Sequence, residues 1–213
     1  QAKIHKMPAL PIIAISIGDP NGVGVEIVLK TFQDNSLFKH CIPVVYASVN
    51  FIQKQQLYFD THVPLSLVED TPKETVLNIV RIWNIAPEVE FGKQTAKAGV
   101  LAFESLQAAA SAVQKGEADA LVTAPINKAA IKSLYFPFAG HTHYLGALWG
   151  GNALMLLTHD TLRVALLTDH IPLHKVTDEI NVDLIKQKTK QLSHCLLYTS
   201  PSPRDKRQSR MPS

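Results

Sequence analysis

Apolar residues along this chain fall into short runs that are hydrophobic on both faces, separated by segments of helical spacing. Leu10–Ile17 (LPIIAISI) is closed by Gly18-Asp19-Pro20, which predicts a buried strand ending in a turn. Ile42–Val49 (IPVVYASV) repeats the pattern, and Val63–Val68 gives a weaker third strand. Residues 70–94, interrupted by Pro72, Pro87 and Gly92, read as irregular structure with short strands set off from the main sheet. Ala120–Thr123, cut off by Pro125, and then Ala153–Leu157 and Arg163–Thr168 complete the predicted strands.

Thr95–Lys115 carries the clearest helical period. Ala98, Leu101, Ala102, Ser105, Ala109, Ala112 and Val113 recur at steps of three and four, and Gly116 follows as a stop. Val25–Lys30, Asn50–Tyr58 and Asn127–Leu134 read as shorter helices, and Asn181–Leu192 as a polar-faced one with Asn181 as its N-cap. Strands alternating with helices predict an α/β protein with a mostly parallel sheet flanked by helices. The chain carries no internal repeat.

Composition narrows the class. A chain of 213 residues, 46% hydrophobic and 18% charged, suits one sizeable core. No apolar run is long enough to cross a bilayer, and no basic segment precedes an apolar one at the start. Two cysteines, Cys41 and Cys195, make no disulfide framework, so the expectation is a cytoplasmic protein without membrane attachment. The formal charge of +3 resides wholly in residues 195–213, where Arg204, Lys206, Arg207 and Arg210 stand against Asp205. The balanced remainder has no basic stripe and argues against a nucleic-acid partner.

Segment 195–213 also lacks apolar periodicity and is expected to be a disordered tail. Its LLYTSPSPRD stretch resembles translated adapter or vector sequence, which makes it non-native in this reading. The organisation is then an extension over 1–9, the α/β portion over 10–194, and the tail. Gln1 opens the chain, and Met7 stands just before the first strand as a natural start.

Four polar segments offer chemistry. Gly18-Asp19-Pro20-Asn21-Gly22-Val23-Gly24-Val25-Glu26 joins a strand to a helix. It lacks both the G-x-G-x-x-G fingerprint and the Lys-Ser/Thr of a P-loop, and a tight turn explains it equally well. Thr123-Ala124-Pro125-Ile126-Asn127-Lys128 leaves a strand at the end where α/β proteins bind ligands, so Lys128 is either a phosphate or carboxylate holder or a solvated lysine. Gly140-His141-Thr142-His143-Tyr144 groups imidazole and hydroxyl in a way that suits a phosphate better than a metal, or is a loop with incidental histidines. Thr168-Asp169-His170 follows the Arg163–Thr168 strand, a position for a metal ligand, a proton-transfer group, or an ordinary hydrogen-bonded histidine. His174, past Pro172, does not pair with His170 on a regular helix. His5, His40, His62, His159 and His194 have no supporting context.

Taken in order, GDPNGVGVE, TAPINK, FAGHTHYL and RVALLTDHIPL resemble the 4-hydroxythreonine-4-phosphate dehydrogenase family of vitamin B6 biosynthesis, from about Leu10 to Leu192. The resemblance implies α/β homodimers related in fold to isocitrate and isopropylmalate dehydrogenases, with the active site in a cleft at the subunit interface. It further implies NAD or NADP and a divalent metal (Zn, Mg or Co), used to oxidise 4-(phosphooxy)-L-threonine to a keto acid that loses CO2 to give 3-amino-2-oxopropyl phosphate. His141 and Thr142 match the family's substrate-binding pair, and His170 the first of three metal-binding histidines. Lys128 and Asp169 take supporting catalytic roles; no cofactor-binding residue is assigned.

Two positions depart from the family pattern. His143 stands where glutamate is usual and Val25 where proline is common, and His143 keeps open a paralogous activity on another phosphorylated four-carbon hydroxy acid. The remaining metal histidines lie beyond the matched region, so this chain alone is expected to be inactive and its longer parent an enzyme. A non-catalytic, phosphate-binding truncation product is the reading from another class. An unfinished sheet is expected to expose a strand edge and to limit solubility.

Overall fold

The computed structural model describes residues 10–199, apart from 85, 133–135, 139 and 170. Five parallel strands form the main sheet: β1 (Ile12–Ser16), β2 (Ile42–Ala47), β3 (Leu65–Leu67), β4 (Leu77–Arg81) and β5 (Ala120–Thr123), in the order β3-β4-β2-β1-β5. The α/β class and the mostly parallel sheet expected from the alternation are present.

Two-sided burial explains the unbroken apolar runs. On one face Ile15, Val45 and Ile79 pack against α1 (Gly24–Phe32) and α2 (Val49–Tyr58) through Val25, Leu29, Phe51 and Ile52. On the other face Ala14, Val44 and Tyr46 meet Ala109 and Ala112 of α3 (Ala96–Gln114). The alanines of α3 let that helix lie close to the sheet. Its start is set by Thr95, whose Oγ1 accepts the Ala98 N–H at 3.2 Å, and its end by Gly116 at φ +75°.

One expectation fails inside the sheet. Leu77–Arg81, in the stretch read as set off from it, is a full member between β3 and β2, with Leu77 and Ile79 completely buried. Asn78 disguises it. Its Oδ1 accepts the Lys73 N–H at 2.8 Å, and its Nδ2 donates to the carbonyls of Lys73 at 2.8 Å and Pro43 at 3.1 Å. A polar residue so fully paired costs little when buried.

β5 closes one end of the sheet, with Val122 about half exposed at 51%. An apolar groove of about 480 Å3 runs beside it, lined by Ile13, Ile15, Ile27 and Val28 among others. After β5 come two short helices, α4 (Lys128–Lys132) and α5 (His141–Trp149). Gly99 of α3 fits tightly against α4, since a Cβ there would lie 2.5 Å from the Ala130 carbonyl oxygen.

The chain divides into two compact units between Trp149 and Gly150, within the 10–194 stretch read as one portion. The second contains an antiparallel hairpin, β6 (Leu156–His159) and β7 (Leu162–Ala165), followed by α6 (Val176–Glu179) and α7 (Val182–Thr199). The hairpin turns at Asp160, φ +45°, so both strands are shifted from the predicted spans. Asn181 caps α7 as expected, its Oδ1 accepting the Leu184 N–H at 2.9 Å. That helix runs to Thr199 and corrects the expected disorder over 195–199, because Cys195–Thr199 contains neither Gly nor Pro to stop propagation. The rest of the expected tail, 200–213, lies outside the described residues, as does the 1–9 extension. Among the described residues no helix is long and apolar enough to cross a membrane.

Candidate anion site at the strand ends

Parallel pairing of β1 with β5 brings Ser16 opposite Thr123, so the loops after both strands leave the same edge of the sheet. They are stitched together there. The Asp19 N–H donates to the Pro125 carbonyl at 2.9 Å, across a contact that leaves no room at Gly18.

The glycine-rich loop serves this junction. A Cβ on Gly24 would sit 2.3 Å from the Ile17 carbonyl oxygen, so its open side is filled by the chain's own backbone. Asn21, 5% exposed, pins a distant loop. Its Oδ1 accepts the Glu90 N–H at 2.9 Å, and its Nδ2 donates to the Lys93 carbonyl at 2.9 Å and to Thr95 Oγ1 at 3.3 Å. GDPNGVG is a tight strand-to-helix turn in the structure. Asn21 as an anchor was not legible, because its partners lie some seventy residues away.

Polar groups gather one step along. Asn127 caps α4, accepting the Ala129 and Ala130 N–H groups at 3.1 Å each, which places Lys128 at the first helical position. The exposed Lys128 side chain extends past the start of α5, where a Cβ on Gly140 would lie 4.0 Å from its Nζ. His141 opens α5. The segment read as a phosphate cluster or a loop with incidental histidines is therefore a helix start, missed because Gly140 and Gly146 hide the period. The Tyr144 N–H donates to the Gly140 carbonyl at 3.2 Å within the helix's first turn.

His141 is half-buried, and its Nε2 is buried without a partner. Burial, reinforced by the nearby Lys128 charge, holds its pKa below the ordinary imidazole value of 6.5. A neutral imidazole N–H, the Thr142 hydroxyl and the Lys128 ammonium are donors of a kind suited to an anion. The sign of the pH dependence follows from the depressed pKa. Below pH 6.5 the unfolded chain takes up the His141 proton before the folded chain does, so acid erodes stability. The melting temperature is expected to fall between about pH 7 and about pH 5, and less steeply in His141→Gln. An unchanged slope in that variant would contradict the assignment.

The other expected site residues fall in the second unit. Asp169 is half-buried, and it follows a loop rather than a strand, because β7 stops at Ala165. Its partner β6 begins at Leu156, opposite Ala165, and pairing ends after the Leu166 N–H reaches the Met155 carbonyl at 3.0 Å. His170 lies outside the described residues. Among the described residues no three His, Cys, Asp or Glu side chains come together to hold a metal. His143 is exposed on α5.

Residues 39–204 match the family described as pyridoxal phosphate biosynthetic protein PdxA. The chain belongs to that family. The resemblance drawn from the four segments therefore holds. A 4-hydroxythreonine-4-phosphate dehydrogenase of Bacteroides thetaiotaomicron is 38% identical over 189 residues, which are 86% of this chain and 52% of that protein. A Clostridium botulinum protein provisionally named a D-threonate 4-phosphate dehydrogenase is 30% identical, over 82% of this chain and 54% of its own. The crystal structure of a Klebsiella pneumoniae 4-hydroxythreonine-4-phosphate dehydrogenase matches with a TM-score of 0.76 at 25% identity, covering 93% of this PdxA-family chain and 62% of that one. The chain spans about half the length of the curated relatives it matches.

Proposed function

We propose that this PdxA-family chain carries the phosphate-anchoring part of a dehydrogenase that oxidises 4-(phosphooxy)-L-threonine with NAD or NADP and a divalent metal. The keto acid then loses CO2 to give 3-amino-2-oxopropyl phosphate for pyridoxal 5'-phosphate synthesis. The observation that carries this reading is the buried, unpartnered His141 Nε2 beside Lys128 at the start of α5, inside the family match. His141 and Thr142 hold the phosphate through the imidazole N–H and the hydroxyl. Lys128, exposed and close to Gly140, supplies charge to the same oxygens, and the supporting role of Asp169 is part of this proposal.

Among the described residues no three His, Cys, Asp or Glu side chains come together to hold a metal, and the space beside Gly18 and Gly24 of the strand-end loop is filled by the protein's own backbone. Binding and orientation of the phosphorylated end is what these residues contribute. A cytoplasmic homodimer whose partner is this small phosphorylated substrate completes the proposal.

The Clostridium botulinum relative supports a second reading, in which another phosphorylated four-carbon hydroxy acid is the substrate. His143, in the middle of the site helix's first turn, bears on that choice. Nicotinamide reduction by the full-length gene product, with 4-(phosphooxy)-L-threonine and D-threonate 4-phosphate compared, tests both. Turnover of the first alone is the expected result, preference for the second would transfer the function to the paralogous reading, and turnover of neither would remove the dehydrogenase assignment. The 213-residue chain by itself is expected to reduce neither nicotinamide cofactor.

A further inference from the structure

The surroundings of His141 oppose a charged imidazole. The ring is half-buried, and its Nε2 is enclosed without a hydrogen-bond partner. Lys128 approaches from α4, its Cε 3.8 Å and its Nζ 4.0 Å from where a Cβ on Gly140, the preceding residue, would lie. Phe103 and Leu106 of α3, with Phe136 and Phe138 from the segment before α5, form the cluster that packs this helix, and none carries charge. On α5 itself the titratable neighbours are His143, which is exposed, and Tyr144, whose burial raises its pKa and keeps the phenol neutral. Among the described residues no carboxylate offsets the Lys128 charge at His141.

Protonation would give His141 a second N–H and a positive charge. In the empty site that charge is partly withdrawn from water, stands near an ammonium, and leaves the buried ring nitrogen with no acceptor. Burial and the Lys128 charge accordingly hold the His141 pKa below 6.5. A bound oxyanion reverses the balance. Its negative charge offsets the Lys128 field, and its oxygens accept from an imidazolium in a charge-assisted hydrogen bond, about twice as strong as a neutral one. The field acts through space, so the reversal holds whichever ring nitrogen faces the ligand.

We propose that anion binding at the start of α5 is coupled to uptake of one proton by His141, so that an imidazolium and the Lys128 ammonium together hold a dianion. The inference rests on the phosphate-anchoring reading above and adds to it a charge requirement. The proton comes from solvent as the ligand arrives and returns to solvent as it leaves, and no bond of the ligand changes. Two positive charges then act on the ligand, which favours a doubly charged oxyanion over a carboxylate.

Sulfate is the probe, because it stays a dianion throughout, whereas a phosphate monoester changes its own charge near about pH 6. Calorimetric titration of the chain with sulfate at about pH 7, in two buffers of different ionisation enthalpy, is expected to give heats that differ by the uptake of up to one proton. Sulfate affinity is expected to fall by up to about tenfold per pH unit above about pH 6.5, the limit for one linked proton. His141→Gln keeps a hydrogen-bond donor that cannot gain a proton, and is expected to bind sulfate with buffer-independent heat. A proton NMR titration of the parent chain gives a second measurement. The imidazole resonance that is missing from His141→Gln is expected to titrate at higher pH with sulfate than without. Buffer-independent heat in the parent chain would overturn the inference, and so would an unmoved midpoint or proton uptake that persists in His141→Gln. His141→Ala separates the two levels. If it loses sulfate while the parent binds without taking up a proton, only the coupling fails. If parent and variant bind sulfate equally, or neither binds it, the anchoring reading fails and takes this inference with it.

Discussion

Gly18→Ala is expected to destabilise the chain by about 3–5 kcal/mol, the range of a severe single substitution. Two effects add. Gly18 has φ +67°, a left-handed conformation that costs a side-chain-bearing residue about 1–2 kcal/mol. Its new Cβ would also stand 2.2 Å from the Pro125 carbonyl oxygen and 2.9 Å from the Ala124 carbonyl carbon. Both obstacles are backbone, held by the Asp19–Pro125 hydrogen bond, so neither can swing aside as a side-chain end would. Relief requires separating the loops after β1 and β5. Gly22 is the control: its added Cβ would meet Asp19 no closer than 3.4 Å, ordinary contact, and it has no positive φ. Urea unfolding of the two variants is the check. Equal losses would mean that the junction is softer than its geometry states.

His141→Ala is expected to weaken binding of a phosphorylated ligand by about 10- to 100-fold, as for a hydrogen bond to a charged acceptor. The same substitution is expected to leave the empty chain nearly as stable as before. His141 Nε2 has no partner to lose, and the imidazole is half-exposed rather than a core element. Loss of affinity without loss of stability distinguishes a binding residue from a structural one. Lys128→Ala is expected to do less, because an exposed ammonium acts through solvent-screened charge. Titration calorimetry on the variants, paired with melts of the unliganded chains, reads both quantities. A His141→Ala chain that is unstable yet binds phosphate would reverse the assignment.

What the sequence revealed depended on whether the physics was local. The runs at Leu10–Ile17 and Ile42–Val49 announced β1 and β2 because both faces of those strands are buried and only the small Ser16 and Ser48 interrupt their apolar or aromatic positions. The alanine stripe of α3 was equally readable, and its cap at Thr95 obeys a local rule. β4 escaped because Asn78 is satisfied by Lys73 and Pro43, a pairing that no period displays. α5 escaped because its glycines and histidines are poor helix formers, although Gly140 supplies its first carbonyl. β7 was drawn too long, since its end is fixed by where β6 begins.

At the site, residue type was enough to nominate Lys128, His141 and Thr142, and the fold brings Lys128 to the start of the helix that His141 opens. The glycine loop was ambiguous by spacing, and only the packing of Gly18 and Gly24 against backbone shows it to be a junction.

Titration of the 213-residue chain with 4-(phosphooxy)-L-threonine and with its unphosphorylated parent, 4-hydroxythreonine, tests the central claim most directly. The account predicts binding of the phosphorylated compound, displacement by inorganic phosphate, and affinity for the unphosphorylated one at least about 100-fold weaker, equivalent to roughly 2.7 kcal/mol or more. Equal binding of the two compounds, or phosphate-insensitive binding of either, would contradict a site built around an anion at the start of α5.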